Sequence, residues 1–255
     1  MKNKKIRVAL YDPYLDTLGG GEKFILSILE VLAEQGFEIN IFWDKDLSKE
    51  INSRFSLQSI NRLKCLPNIF KDSNTLQTLR TLQTFDYFFY VTDGSYFFSG
   101  AKNNFVYAMI PDKKLYNLNL INRLKLINYK FITHSLFTQK WLSKFGIRST
   151  VIMPYLDNKL INQNTDFVNK EKIILSVGRF FPHLHSKKHD EIIKTFRRLK
   201  KSDHKFEDYK LILAGGLMKE DQRYFNDLKR LAGNDHSISF KPNLPLYKLY
   251  ELYKL

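Results

Sequence analysis

Apolar residues in this chain fall into two alternating patterns, short continuous runs and positions three to four residues apart. The first run, Ile6 to Tyr14, predicts a strand; after Gly19-Gly20-Gly21, residues Phe24, Ile25, Ile28, Leu29 and Leu32 lie at helical spacing. Phe37 to Trp43 reads as a second strand, bounded by Gly36 and by Asp44-Lys45-Asp46. From there to about Asn74 the chain is polar and weakly patterned. Leu76, Leu79, Leu82 and Phe85 space a short helix, and Tyr87 to Val91 is the kind of run that a strand buried on both faces shows. After a turn at Thr92-Asp93-Gly94-Ser95, the spacing predicts a strand over Phe105–Ile110 stopped by Pro111, a helix over Lys114–Asn128 and a strand over Lys130–Thr133. Ser135 suits the N-cap of a helix ending at Phe145-Gly146, and Thr150 to Met153 is a last strand before Pro154.

Residues 155–171 break the pattern with an asparagine-rich, aperiodic crossing of linker character. It then restarts. Ile173 to Val177 predicts a buried strand ending in Gly178-Arg179, and Ile192, Ile193, Phe196 and Leu199 share a helix face. Leu211 to Ala214 is the next strand, ending at Gly215-Gly216; a helix from about Asp221 to Ala232 turns Phe225, Leu228 and Leu231 inward, Ile238 to Phe240 is a short strand, and a helix begins at Leu246. Strands alternating with helices predict parallel sheets covered on both faces. The second half supplies few strands for a doubly wound sheet, so it is expected to be a small or an incomplete domain.

Composition adds a location and a partner class. No apolar run reaches the roughly eighteen residues that a membrane span needs, and the basic start, Met1 to Lys5, leads into a strand-like run rather than an apolar signal core. A cytoplasmic protein is expected. The single cysteine, Cys65, rules out an internal disulfide and a cysteine metal cluster. A net charge of +15 calls for something anionic: nucleic acid, anionic lipid or a phosphorylated small molecule. The charge is concentrated: Lys113 to Arg148 holds eight Lys or Arg, no Asp or Glu, and interleaved Tyr116, Tyr129, Phe131, Phe137, Trp141 and Phe145. Such a surface could stack bases or lie on anionic headgroups, unless the aromatics are core and only the charges are solvated.

Ligands of an open α/β sheet sit at the carboxyl ends of the strands. Gly19 to Gly21, Asp93-Gly94, Gly178-Arg179 and Gly215-Gly216 all fall at such ends. Residues without a Cβ let backbone N–H groups approach a ligand, and a helix start behind Gly21 suits an anion. Alone, the same stretch could equally be a tight turn that binds nothing, since it matches neither phosphate-loop pattern. Four such sites in two consecutive units predict two sheets facing a shared cleft.

Val177-Gly178-Arg179-Phe180 followed by Lys187-Lys188-His189-Asp190-Glu191-Ile192-Ile193-Lys194-Thr195-Phe196 resembles the signature of the family 4 nucleotide-sugar glycosyltransferases. Leu211 to Gly216 is similar to that family's next strand and glycine turn, and Asn243-Leu244-Pro245 with Leu249 to Tyr253 to the approach to its donor-sugar region. Asp12-Pro13-Tyr14 through Gly19-Gly20-Gly21-Glu22 resembles its first strand and glycine loop. The resemblance implies an α/β fold of the GT-B kind, two Rossmann-like domains facing a cleft: an acceptor-side domain at 1–155, a linker at 156–171 and a partial donor-binding domain at 172–255. It implies a hexosyltransferase-type enzyme that moves a sugar from a nucleotide-sugar donor to a glycan or lipid-linked acceptor with retention of configuration; the basic, aromatic 113–148 region would then let the amino-terminal domain sit peripherally on an anionic membrane surface, at its inner face, that carries the acceptor. No metal or other cofactor is expected. By resemblance Arg179 and Lys187, with Gly178, hold the donor diphosphate, the Gly19-Gly20-Gly21-Glu22 loop lies at the cleft, and Asp93, Gly94, Gly215 and Gly216 line it. Glu22 is expected to fix the turn rather than carry out transfer.

The chain departs from the family pattern in three places. Tyr107-Ala108-Met109-Ile110-Pro111 has no histidine where relatives often carry one, so no catalytic residue is assigned. His134 stands where a small polar residue is usual. The paired glutamates that hold donor sugar and ribose would fall just past Leu255, which implies a fragment or an enzyme impaired in transfer. His183, His185 and His189 have a metal-like spacing, but Lys187 and Lys188 among them would repel a cation. The competing reading is a non-enzymatic basic binder of a membrane surface or of nucleic acid that keeps the fold without the chemistry. Nucleic acid is disfavoured, because no nucleic-acid module is recognisable.

Overall fold

The computed structural model describes residues 5–55, 57, 59, 63–71, 74–155, 170–183 and 186–255. They form two compact units, Met1–Tyr155 and Leu156–Leu255. The expected linker lies almost entirely outside the described residues.

Unit 1 is built on seven parallel strands: β1 (Arg7–Tyr11), β2 (Glu38–Phe42), β3 (Lys64–Leu66), β4 (Tyr87–Val91), β5 (Asn103–Tyr107), β6 (Tyr129–Thr133) and β7 (Ser149–Val151), in the spatial order β3-β2-β1-β4-β5-β6-β7. Its helices are α1 (Gly20–Glu34), α2 (Ser48–Phe55), α3 (Thr75–Leu82), α4 (Leu120–Lys125) and α5 (Leu136–Lys144). Alternation along the strands divides the core. Val8, Leu10, Ile39 and Ile41 pack under α1 and α2 through Ile25, Leu29, Ile51 and Phe55. Ala9, Phe88, Val106 and Phe131 face the opposite way, under Leu82 of α3, Leu126 after α4 and Leu142 of α5. The strand order reverses at β1 and β4, and at such a switch point the diverging helices leave a crevice at the carboxyl edge.

Two stretches differ from the sequence expectation. The polar region before Asn74 holds α2 and β3; only Ile51 and Phe55 of α2 are buried, too few positions to reveal a period. Over Lys114–Asn128 only Leu120–Lys125 is an α-helix. Asp112 starts a short 3-10 turn by accepting from Lys114 N–H at 3.0 Å, and Asn119 caps α4 by accepting from Asn122 N–H at 2.8 Å. Asparagine and aspartate offer the backbone these local alternatives, and here they win over continuous helix.

Unit 2 has three parallel strands among its described residues, β8 (Ile173–Val177), β9 (Lys210–Gly215) and β10 (Ile238–Pro242), in the order β10-β9-β8. Its helices are α6 (His189–Ser202), α7 (Gln222–Ala232) and α8 (Leu246–Lys254). Phe180, Ile193, Phe196, Leu211, Leu213, Phe225 and Leu228 make its core.

At the carboxyl edge of unit 2 two backbones pass unusually close. Gly178 N–H donates to Ala214 O and Phe180 N–H to Gly216 O, both at 2.8 Å, which presses the Gly178 carbonyl onto Gly215. A Cβ on Gly215 would stand 1.8 Å from the Gly178 oxygen. No side-chain rotation relieves a clash with backbone, so Gly215→Ala is expected to cost unit 2 about 3 kcal/mol or more. Gly20→Ala, whose Cβ would meet nothing within 4 Å, is the control and should leave stability within about 0.5 kcal/mol. Urea unfolding followed by far-ultraviolet circular dichroism checks both.

Candidate functional site

The five residues that the sequence marks in unit 2, Gly178, Arg179, Lys187, Gly215 and Gly216, lie together at its strand ends. Gly178 and Arg179 are the first residues past β8, and Gly215 closes β9 against them. The stem of Lys187 lies across Gly178, where a Cβ would come within 2.3 Å of its Cγ. The Arg179 guanidinium stacks over the Phe181 ring, its Cζ 4.2 Å from the centroid. Its Nε is buried and meets no acceptor among the described residues. Two cations therefore stand at this strand edge, Arg179 stacked on Phe181 and the exposed Lys187 with its stem over Gly178. Behind them Lys188, in a left-handed conformation at φ 53°, turns the chain into α6.

Asn243, read from sequence only as part of the segment approaching the donor-sugar region, shapes this edge. Its N–H donates to Gly215 O at 2.8 Å, its Oδ1 accepts from Leu217 N–H at 2.8 Å, and its Nδ2 donates to Leu217 O at 3.0 Å. The side chain thus pairs with the 215–217 loop as another strand would, from a left-handed backbone at φ 52° that asparagine tolerates. Of the three histidines with metal-like spacing, His183 is exposed, His185 is outside the described residues, and His189 is fully buried. The His189 ring packs on Phe180, centroids 4.7 Å apart, and burial holds its pKa below the ordinary histidine value. No three His, Cys, Asp or Glu side chains among the described residues converge as a metal site.

In unit 1 the glycine stretch is not the loop that the sequence suggests. Gly19 is the N-cap, while Gly20 and Gly21 are already the first turn of α1. The helix starts this early because the Glu22 carboxylate reaches back: its Oε2 accepts from Gly19 N–H at 2.6 Å and from the Thr17 hydroxyl at 2.8 Å. Gly21 admits the tip of Met109, which a Cβ would meet at 2.1 Å. Gly20 is exposed and borders a groove of 230 Å³ whose walls are Lys23, Phe24, Ile28 and Val31 of α1 and the Ile152–Tyr155 segment after β7. Asp93 and Gly94 form a closed turn after β4. Asp93 Oδ1 accepts from the Tyr90 hydroxyl at 2.6 Å and from Ser95 N–H at 2.9 Å, and Gly94 has φ 97°, which favours glycine.

The residues that stand out by their chemistry at this edge are Asp12, Tyr107 and His134, none chosen as a site from sequence. Asp12, directly after β1, is fully buried; one carboxylate oxygen accepts from Tyr14 N–H at 2.9 Å, and Oδ2 has no partner among the described residues. Burial, reinforced by the Glu22 carboxylate, pushes its pKa up to about 8. Tyr107, at the end of β5, shares a 3.2 Å hydrogen bond with Nδ1 of His134, just past β6. Burial and the Glu22 and Asp12 carboxylates push the Tyr107 pKa up, and burial pushes that of His134 down, so the pair is neutral at physiological pH. The available signal in the sequence was a carboxylate directly after an apolar run and before a proline.

Two successive parallel α/β units, with these clusters at their carboxyl edges, define a fold of the GT-B kind. The solved structures similar to this chain include a glycosyltransferase from Rickettsia africae ESF-5, with TM-score 0.66 and 16% identity over 98% of this chain and 71% of that one. A UDP-forming α,α-trehalose-phosphate synthase from Burkholderia xenovorans aligns with TM-score 0.52 and 11% identity over 94% and 74%. The UDP-GlcNAc 2-epimerase of Neisseria meningitidis bound to UDP-GlcNAc aligns with TM-score 0.52 and 12% identity over 98% and 75%. Residues 157–255, nearly the whole of unit 2, match the family model described as Glycosyl transferases group 1. No curated protein matches the chain.

A carboxyl whose folded pKa is raised binds its proton more tightly in the native state. The unfolded chain releases that proton near pH 4, the native state only near pH 8, so stability falls as pH rises across this window and levels off above it. Asp12→Asn, which imitates the protonated acid, is expected to flatten this slope and to stabilise unit 1 by a few kcal/mol, of order 3, at pH 8. Both tryptophans, Trp43 and Trp141, lie in unit 1. Their fluorescence during urea unfolding at pH 5 and pH 8 reads the difference.

Proposed function

We propose that this protein is a hexosyltransferase-type glycosyltransferase that moves a sugar from a nucleotide-sugar donor to a glycan or lipid-linked acceptor with retention of configuration. The observation that carries the reading is the unit 2 strand edge, where Arg179 and Lys187 stand together at Gly178. When a nucleoside diphosphate leaves a sugar carbon, negative charge grows on its bridging oxygen. Fixed cations and N–H dipoles stabilise that charge without reorganising. Arg179 can fork onto two phosphate oxygens from its stacked position, and Lys187 serves as a compact point charge. Two supports come from outside the site. The matched family model is one of glycosyl transferases, and among the fold neighbours are a UDP-forming synthase and an epimerase bound to UDP-GlcNAc.

Neither unit needs a metal for this role, because the two side-chain cations take the place a divalent ion would have at the diphosphate. A lipid-linked acceptor would be met on the cytoplasmic side of a membrane. Gly19 to Glu22 sit at the acceptor-side strand edge, where their role in this reading is to fix the start of α1.

The experiment is calorimetric titration with UDP, GDP and their sugars. Arg179→Ala is expected to weaken binding of the favoured nucleotide sugar about thirtyfold and Lys187→Ala about tenfold, as loss of a charge-assisted hydrogen bond implies. EDTA should leave the affinity unchanged. Absence of binding by every nucleotide and nucleotide sugar tried, or binding indifferent to Arg179, would overturn the proposal.

A further inference from the structure

We infer that the face of unit 1 made by α4 and α5 is a docking surface for an anionic lipid bilayer. Both helices cover the same face of the sheet, since Leu126 after α4 and Leu142 of α5 enter the same core cluster. What they turn outward is unusual. Leu120 is 75% exposed, Ile121 61%, Leu124 52% and Ile127 76%. At 3.6 residues per turn these four span an arc of roughly 120°, with Arg123 on one flank, Lys125 on the other and Leu126 opposite, facing the core. The helical course reaches Ile127, because Leu126 N–H donates to Asn122 O and Ile127 N–H to Leu124 O. Contiguous apolar residues of this size are seldom left to water in a soluble domain without a partner.

A second apolar strip lies on α5. Phe137 and Trp141 are exposed and in edge contact at 6.4 Å, and Lys144 Nζ sits 4.2 Å from the Trp141 ring centroid. Trp141 touches Phe145 and Phe145 touches Tyr116, which joins the strip to the segment leading into α4.

Charge decides the occupant. Across Lys113 to Arg148 every charged side chain is a cation, and all eight but the half-buried Lys125 are exposed. Aliphatic tips flanked by Lys and Arg, whose stems can lie along acyl chains while their heads stay in water, fit an anionic headgroup layer. Trp and Phe suit the same interfacial depth. Single-stranded nucleic acid would instead need exposed aromatic faces for stacking. Here Tyr116 and Phe131 are buried, the outward residues of α4 are aliphatic, and the exposed rings of Phe137 and Trp141 are in edge contact with Lys144 over one Trp141 face. Docking of this kind does not depend on sugar transfer, since none of these residues belongs to either strand-edge cluster.

The test is sedimentation of the whole chain with vesicles of phosphatidylcholine alone or mixed with phosphatidylglycerol. Binding is expected only with phosphatidylglycerol and should weaken as salt rises. Leu120→Glu combined with Ile127→Glu should lower the partition coefficient at least about tenfold, with the fluorescence melting curve unchanged because both positions are solvent-exposed. Lys113→Gln combined with Lys114→Gln should lower it about fivefold per cation removed. Failure to bind phosphatidylglycerol vesicles, equal binding to neutral ones, or full binding by the Leu120/Ile127 variant would overturn the inference. So would tight binding of single-stranded RNA by a protein that ignores vesicles.

Discussion

A parallel strand pair cannot be closed by a short turn, so each connection must carry the chain from the carboxyl edge of the sheet back to its amino edge. Every strand pairing described in both units is parallel. The strand interiors are consequently covered and mostly apolar, and polar chemistry is confined to the few residues where a strand ends. Asp12, Thr92-Asp93, His134 and Gly178-Arg179 each come directly after a strand, and Gly215 is the last residue of one. The acid cluster of unit 1 and the cations and tight glycine contact of unit 2 each stand at the carboxyl edge of their own sheet for topological reasons before any functional ones.

The same confinement explains what the sequence could show. Strands buried on both faces are written as continuous apolar runs, so β1, β2, β4, β5, β8 and β9 are legible. The short edge strand β3 and the helix α2 bury too few residues to leave a period. Composition misleads at the start of α1. Glycines Gly20 and Gly21 read as loop, but Glu22 supplies the orphan Gly19 N–H with an acceptor, and the helix extends through them. In the site, Gly178, Arg179, Lys187 and Gly215 were legible because a strand exit and a glycine pair are local signals. Asp12, Asn243 and the Tyr107–His134 pair were not, because their character depends on partners far away in the chain: Glu22 for Asp12, Leu217 for Asn243.

Charge is arranged unevenly in a way that composition alone does not reveal. Away from 113–148, cations commonly stand beside carboxylates: Lys102 by Asp86, Lys71 by Asp44, Lys172 by Asp208, Arg7 and Lys64 by Glu38. Such surface pairs add little to stability, but they cancel each other's field. The 113–148 stretch has no carboxylate to do this, so its cations keep their field, and the exposed aliphatic arc of α4 lies in the middle of it. A generally basic protein would spread its excess charge; this one concentrates it beside apolar surface.

The protonation states in unit 1 bear on the proposed transfer. An acceptor hydroxyl must lose its proton as the new glycosidic bond forms. Asp12 keeps its own proton up to about pH 8. Glu22 is tied to Gly19 and Thr17, and Asp93 to Tyr90 and Ser95. With its pKa pushed up, Tyr107 keeps its hydroxyl proton, and it shares a hydrogen bond with Nδ1 of neutral His134. Asp12 and Tyr107 thus hold their protons at neutral pH, while Glu22 and Asp93 are occupied as hydrogen-bond acceptors. In the proposed reaction the departing diphosphate, whose oxygen becomes basic as the sugar carbon leaves it, can itself take the acceptor proton. Cations of the Arg179 and Lys187 kind must stabilise that oxygen enough to let it leave, yet not so much that it can no longer accept the proton. Arg179 is stacked on Phe181 and has no carboxylate paired with it among the described residues, so it would meet the first requirement without an ion pair to break.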